Sequence, residues 1–495
     1  MKDLLSAPDW QSETLGRPLP DSPHAVSVSL PLWEHVIGYE EGDPAVVGRM
    51  LAGYPRFFIS LPTQKLFRAA ETRFAKAGEG AVVFPSRVAA ERCRAFVVKR
   101  EPEAEIRLEA MGKFGLWAVV FPESLRPVVR LYWRFSGEIV SSRCALAYLE
   151  GRVPDLTEGE TASQIISGRL ARYYGVRPDD ILLLPSGMAA VSTVHRMLDH
   201  VLPNRESVQW DFPYVDVLKV QQELGHGAHF FANASPENLQ AIHALAVANF
   251  INGVYVEAPS NPLLRCMPLS EISGHLRACR IPLVVDDTVA TVLQVDALRF
   301  ADLVTTSLTK SFSGVGDVLG GSIVMNPHSP HYEAFRAFAE EEREHHSTVW
   351  CEDAVVLEAN SRDFPKRVRR ASQNAAILAE FLENHPAVER VHFSSPEDPN
   401  LSELLRPGAR GGCLLSFILK NPAAAPLVYD ALRVCKGPSL GANFTIVCPY
   451  TLLAHYTELD WAAECGVPAH LLRVSVGLEE SDDLVQRFAD ALALV

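Results

Sequence analysis

The sequence predicts an α/β chain: a mostly parallel central sheet between helices, a smaller α+β C-terminal domain, and an extra α/β unit near the N-terminus. Three observations carry this. Between about 150 and 326, short apolar runs ending in polar residues alternate with segments of helical apolar spacing, as in a parallel sheet covered on both faces. After 350 the pattern changes to a long helical stretch with isolated strands. Before 136 a few short strands and helices stand apart from both. The expected divisions are a loose tail over 1–25, an N-terminal α/β extension over 26–135, a large cofactor-binding domain over 136–350 and a small domain over 351–495.

Residues 1–25 are polar and proline-rich, which reads as a tail. In the extension, GAVVFPS (80–86), RAFVVKR (94–100) and LWAVVFP (116–122) read as strands, and RVAAERCRA (87–95) and VVGRMLAGY (46–54) as helices. In the large domain, 162–175 and 187–202 have helical spacing, while DDILLLPSG (179–187), ANFINGVYVEAPSNP (248–262), IPLVVDDT (281–288) and ADLVTTSLTK (301–310) each carry a strand with a polar end. Ligands on such sheets gather at the carboxyl ends of the strands. Beyond 350, a helical stretch broken near Pro365 is followed by strands at 411–419 and 471–478 and a closing amphipathic helix.

Composition narrows the function. With 48% hydrophobic and 21% charged residues, the chain has ample material for a core and is not disordered. A net charge of −14 repels phosphate backbones, so no nucleic-acid partner is expected. The nine cysteines are scattered without a C-x-x-C pair, which fits reduced thiols in the cytoplasm and no metal site. Neither an apolar leader nor an apolar run of membrane-spanning length is present, so no membrane association is expected.

Three motifs carry chemistry. SLTKSFSGVGDVLGGS (307–322) sets Lys310 in a Ser/Gly-rich turn after a strand, where its amine can form a Schiff base with an aldehyde cofactor and the turn can bind phosphate. Its GVG is not a dinucleotide fingerprint, because the third glycine is out of register. LVVDDTVAT (283–291) ends a strand on two aspartates, costly to bury unless partnered, and a protonated pyridine nitrogen is one such partner. PSGMAA (185–190) opens a helix on small residues, leaving free N–H groups for a phosphate.

In this order, these motifs resemble the pyridoxal-phosphate enzymes of cysteine and methionine transsulfuration, of fold type I, and are most similar to the longer, fungal-type cystathionine gamma-synthases. The likeness spans most of the chain. It includes SLPLWEHVIGYEEGDP…GYPRFF, SSR (141–143), DFPYVD, EAPSNPLL, NSRDF, GPSLGANFTIVCPYTLLAHY and LLRVSVGLEE. The resemblance implies pyridoxal 5'-phosphate as cofactor. Lys310 would hold it and shuttle protons, Asp286 would pair with the ring nitrogen beside Asp287, and Tyr214 would stack on the ring. Gly187, Met188, Ser307 and Thr309 would bind the phosphate, with Arg143 reaching it from a neighbouring subunit. Asn261 would lie near the ring hydroxyl and the substrate, and Arg473, helped by Ser439, would hold the substrate carboxylate.

Read by themselves, some of these residues have other roles open to them. Arg473 suits a structural ion pair as well as a bidentate carboxylate, Tyr214 a packing aromatic, and Asn261 before Pro262 a turn. One departure stands out: shorter relatives carry a tyrosine two positions before the phosphate-binding arginine, and here that position is Ser141.

The resemblance implies γ-replacement, an O-acyl-L-homoserine and L-cysteine giving L-cystathionine. The alternative is a γ-lyase acting on another γ-substituted amino acid, such as 4-chloro-allylglycine going to the alkynyl propargylglycine. A non-catalytic relative of the fold is a third reading. A homodimer or homotetramer with shared active sites is expected.

Overall fold

The computed structural model describes residues 3–344 and 348–495. Its centre is a seven-stranded sheet of β4 (Ile181–Leu184), β5 (Glu206–Trp210), β6 (Ala228–Phe231), β7 (Ile251–Glu257), β8 (Leu283–Asp286), β9 (Leu303–Thr306) and β10 (Gly321–Met325). They lie in the order β4-β10-β9-β8-β7-β5-β6. All run parallel except β10, which is antiparallel to β4 and β9. That exception has a simple cause. Parallel neighbours need a crossover, usually a helix, and the 307–320 connection carries none, so the chain turns straight back.

Both faces of the sheet are covered. Along β8, Leu283 and Val285 enter one core with Ile166, Leu170 and Ile272, while Val284 enters another with Ala190, Val194 and Leu198 of the helix Gly187–Val201. Two-residue alternation therefore turns Asp286 to the Val284 side and Asp287 to the opposite side.

The N-terminal extension is a three-stranded antiparallel sheet of β1 (Glu79–Phe84), β2 (Arg107–Ala110) and β3 (Trp117–Pro122), ordered β1-β3-β2. Two expectations fail here. The run at 94–100 continues the helix Arg87–Arg100 rather than forming a strand. Ser86 caps that helix, and Ala89, Cys93, Phe96 and Val97 are buried at helical spacing, which outweighs the local β propensity of RAFVV. The run at 46–54 is helical only over Pro44–Val47, where Gly48 ends it.

The C-terminal sheet contains β11 (Val388–Phe393), β12 (Leu414–Leu419), β13 (Cys435–Lys436), β14 (Ile446–Pro449) and β15 (Leu472–Ser475), ordered β11-β12-β15-β14-β13. The helices Phe364–Glu383 and Ser481–Leu492 pack on it through Leu378, Leu382 and Phe488. The break before Phe364 matches the expected one, with Pro365 in the first turn of the new helix.

The tail at 1–25 is not loose. Leu15 is buried in the C-terminal domain's core and Leu19 is fully buried against Cys435, Phe444 and Ile446, while Val28 and Leu30, just beyond the tail, continue into the same core as Leu15. The buried Lys436 ammonium donates to the Pro31 carbonyl at 2.9 Å, and Leu30 N–H donates to the Lys436 carbonyl at 2.9 Å. Singly spaced apolar residues give no periodic signal, so the segment's anchoring was invisible to pattern reading. Leu19→Ala should lower unfolding free energy by about 2–5 kcal/mol, whereas a loose tail would tolerate it within about 0.5 kcal/mol. Chemical denaturation distinguishes the two.

Candidate active site

A cavity of about 150 Å³ lies where the three parts of the chain meet. Strand ends of the large domain bring Gly187 and Met188 after β4, Glu257 and Asn261 after β7, Asp286 of β8, and Ser307 and Lys310 after β9. The C-terminal domain contributes Ser439, Tyr450 and Arg473, and the N-terminal segment contributes Tyr39, Glu40, Tyr54 and Phe57.

Lys310 is 9% exposed, and its Nζ donates to Ser439 Oγ at 3.0 Å. The ammonium sits 4.3 Å from the centroid of the Tyr54 ring. Burial drives the amine below the ordinary lysine range; Tyr54 opposes this, while Arg473 and Arg56 reinforce it. Ser439 adopts φ 92°, and the loop beyond it presses so close that a Cβ on Gly441 would meet Ser311 N at 2.4 Å. Only glycine allows the loop to approach the lysine this closely.

A second group surrounds Tyr214, which precedes the helix Val215–Lys219. Arg56 Nη2 donates to the Tyr214 hydroxyl at 2.5 Å, and Arg56 also pairs with the fully buried Asp216. Arg134 Nη2 binds the other Asp216 oxygen at 2.8 Å. Burial alone would raise the Asp216 carboxyl, yet the two guanidinium groups hold it below its ordinary value. For Tyr54, burial raises the phenol, but Lys310 and Arg56 outweigh it and leave it lowered. Tyr54 and Arg56 were quoted within GYPRFF but were given no role in the sequence reading. What would have exposed them is an arginine amid aromatic residues in a short apolar run.

The carboxylates divide by position. Asp286 accepts from Thr288 N at 2.8 Å and Thr305 Oγ1 at 3.3 Å, and burial raises its carboxyl. Beside it on β7, Glu257 accepts the Tyr214 N–H at 2.5 Å and the Asn261 N–H at 3.0 Å. Burial, with the charge of Asp286, pushes Glu257 up to about 8. One buried carboxylate thus fixes two walls of the cavity. Asp287 faces away, accepting from Tyr174 Oη at 2.7 Å and Thr306 Oγ1 at 2.6 Å.

Arg473 on β15 is 6% exposed. Its Nη2 donates to the Ser439 carbonyl at 2.7 Å and its Nη1 to Asn261 Oδ1 at 3.2 Å, which aims the guanidinium, while buried Nε makes no hydrogen bond among the described residues. This geometry brings Lys310, Asp286, Tyr214, Gly187, Met188, Ser307, Asn261, Arg473 and Ser439 around one cavity.

Two expected residues fall outside it. Arg143 is 8% exposed and donates within its own chain, to the Asp317 carbonyl at 2.7 Å and Asp353 Oδ1 at 3.0 Å. The Thr309 hydroxyl is taken by Gly320, accepting its N–H at 3.1 Å and donating to its carbonyl at 3.3 Å. The phenol absent at Ser141 is present in the cavity as Tyr54.

Residues 159–493 match the Cys/Met metabolism PLP-dependent enzyme family, and residues 62–141 match the N-terminal domain of fungal trans-sulfuration enzymes. The chain belongs to this family. The chain is similar to a cystathionine gamma-synthase of Neurospora crassa, at 32% identity over 97% of this chain and 98% of that one. It is also similar to the L-2-amino-4-chloropent-4-enoate dechlorinase/desaturase of Streptantibioticus cattleyicolor, at 32% identity over 96% and 97%. Among solved structures, the cystathionine gamma synthase of Xanthomonas oryzae with aminoacrylate and cysteine aligns with TM-score 0.60 and 26% identity, over 68% of this chain and 87% of that one. The fold is type I, and the protein is a PLP-dependent transsulfuration enzyme.

The residues present fit pyridoxal phosphate. Ser307 Oγ is buried with no partner, and beside it a Cβ on Gly187 would come within 2.7 Å of Ser307 Cβ, so the glycine keeps a cradle open. Helix N-terminal N–H groups at 187–188 suit a dianion. Asp286 carries a raised carboxyl without an ion-pair partner within 4 Å among the described residues, as a site for a pyridinium requires.

Asp287 supplies a pH test. Burial pushes its carboxyl from 3.8 up to about 7, so between these values the native state keeps a proton that the unfolded chain has lost. Its stabilising contribution is therefore complete below pH 3.8 and declines as pH rises toward 7. Asp287→Asn should remove this part of the slope, seen as a flatter plot of urea midpoint against pH than the parent's.

Proposed function

We propose that the protein performs γ-replacement on an O-acyl-L-homoserine, adding L-cysteine to give L-cystathionine. The observation that carries this is one desolvated lysine amine beside an aimed arginine fork in a single cavity. An amino acid held by its carboxylate at Arg473 and Ser439 lies within reach of Lys310. Pyridoxal phosphate, when bound, supplies the electron sink that makes the α-proton and then the β-proton acidic. The Lys310 amine, lowered by burial and so a readier free base than an ordinary lysine, takes up each proton and returns it. Tyr54, a lowered phenol next to that amine, holds a proton close to the departing group.

Other side chains hold the reactants. Asp286 would keep the ring nitrogen protonated, Tyr214 would stack on the ring, and Ser307 with the N–H groups of Gly187 and Met188 would bind the phosphate. Asn261 orients Arg473 and would stand near the ring hydroxyl. A homodimer or homotetramer and a cytoplasmic location belong to the same proposal. Supporting the first are Leu149, Val153, Leu156 and Ile165, exposed apolar residues close together in sequence; supporting the second are free, mostly buried cysteines. Among the described residues no helix is long and apolar enough to cross a membrane.

A γ-elimination is the second reading, with 4-chloro-allylglycine going to propargylglycine as one case. It is supported by the similarity to the Streptantibioticus relative at the same 32% identity as to the Neurospora one, and by the apolar walls Phe57, Leu453 and Ala454.

Mass spectrometry of products from O-acyl-homoserine with and without cysteine separates these readings. Cystathionine formed only with cysteine supports replacement. A keto acid or unsaturated amino acid in both reactions sinks it in favour of elimination. Lys310→Ala should abolish turnover, and borohydride followed by digestion should label Lys310 in the parent protein but no residue in the variant.

A further inference from the structure

The cavity contains one acid that the chemistry above does not use. Glu40 ends the helix Trp33–Glu40 and lines the cavity near Tyr39, Phe57, Leu453 and Ala454. Acids at a helix C-terminus oppose the helix dipole, and here Glu40 and Glu41 follow one another. Glu41 is satisfied by the Tyr456 hydroxyl at 2.6 Å, which also fixes the end of the helix against the C-terminal domain. Glu40 has no hydrogen bond and no ion pair within 4 Å among the described residues. Burial pushes its carboxyl up to about 7, opposed by the charge of Arg134, which is itself bound to Asp216.

The other cavity carboxylates are committed. Glu257 holds two backbone N–H groups, and Asp286 faces the place of the ring nitrogen. A half-buried, unpaired acid gains most from a ligand cation, since a charge-assisted hydrogen bond replaces an unfavourable desolvation. In γ-replacement the first amino acid gives its nitrogen to the cofactor, so its ammonium is no longer free. The incoming thiol amino acid keeps its own ammonium.

We infer that Glu40 is a specificity residue, its carboxylate receiving the α-ammonium of the thiol co-substrate. This rests on the replacement reading above. Glu40 does not touch the γ-carbon; it selects which thiol reaches it.

The test compares L-cysteine with 3-mercaptopropionate, which has the same thiol and carboxylate but no ammonium, in the holoenzyme with O-acyl-homoserine. The parent enzyme should prefer cysteine in kcat/KM. Glu40→Gln should raise KM for cysteine about tenfold, the value of one charge-assisted bond, and leave that for 3-mercaptopropionate within about twofold. Glu40→Asp should recover part of the preference. Visible absorbance of the bound cofactor and circular dichroism report whether each variant is loaded and folded.

Equal losses with both thiols overturn the assignment. So does a parent enzyme that uses the two thiols alike, a result that needs no variant at all. If the parent forms no cystathionine with cysteine, the replacement reading itself fails, and that outcome is separate from the behaviour of Glu40.

Discussion

A lysine amine held out of water without a carboxylate beside it is the constraint that organises this molecule. Lys310 has a serine hydroxyl and the face of a tyrosine as its immediate company, with two guanidinium groups adding to the cost of its charge. Maintaining that environment takes walls from three parts of the chain. The parallel sheet supplies the strand end that carries the lysine, the C-terminal loop closes on it through Gly441, and the N-terminal segment covers it with Tyr54. Water reaching this amine would return it toward an ordinary ammonium, unable to act as a base near neutrality.

The acids around it show how one cavity assigns different charge states to the same functional group. Asp216 is held ionised by Arg56 and Arg134, while burial and the charge of Asp286 push Glu257 up to about 8 against its two backbone N–H bonds. Asp286 is likewise raised by burial, and no cation of the described residues pairs with it. Fixed guanidinium groups and a helix N-terminus then leave the cavity suited to a phosphate and a carboxylate. Such separation of environments lets neighbouring carboxyls play distinct roles at one pH.

Much of this was legible in the sequence. The turn around Lys310, the strand end at Asp286 and the helix opening at Gly187 are local signals, each carried by residues close in sequence, and the structure brings them together. Arg143 lies outside the cavity, its guanidinium paired with Asp317 and Asp353, acids far away in sequence of which the local SSR pattern gives no sign. Tyr54 and Arg56 went unassigned for the same reason. Their partners, Asp216, Tyr214 and Lys310, lie more than a hundred residues away, and no periodicity links them. The helix over 94–100 was hidden by a β-rich run whose burial only the tertiary packing reveals.

The N-terminal stretch from Leu30 to Phe57 carries the widest consequence. It is sewn to the C-terminal domain by Lys436, by the Trp33 N–H bond to Asp430 at 2.7 Å and by the Tyr429 hydroxyl bond to Leu30 at 2.7 Å. The same stretch then delivers Tyr39, Glu40, Tyr54 and Phe57 to the cavity rim. The strand ends of the sheet therefore carry Lys310 and Asp286, while the N-terminal stretch, part helix and part loop, supplies a separate section of the cavity wall. Because Tyr54 of that stretch also covers Lys310, the rim and the strand ends are coupled through one side chain. The fold itself fixes neither leaving group nor nucleophile; those are set by the side chains that line the site.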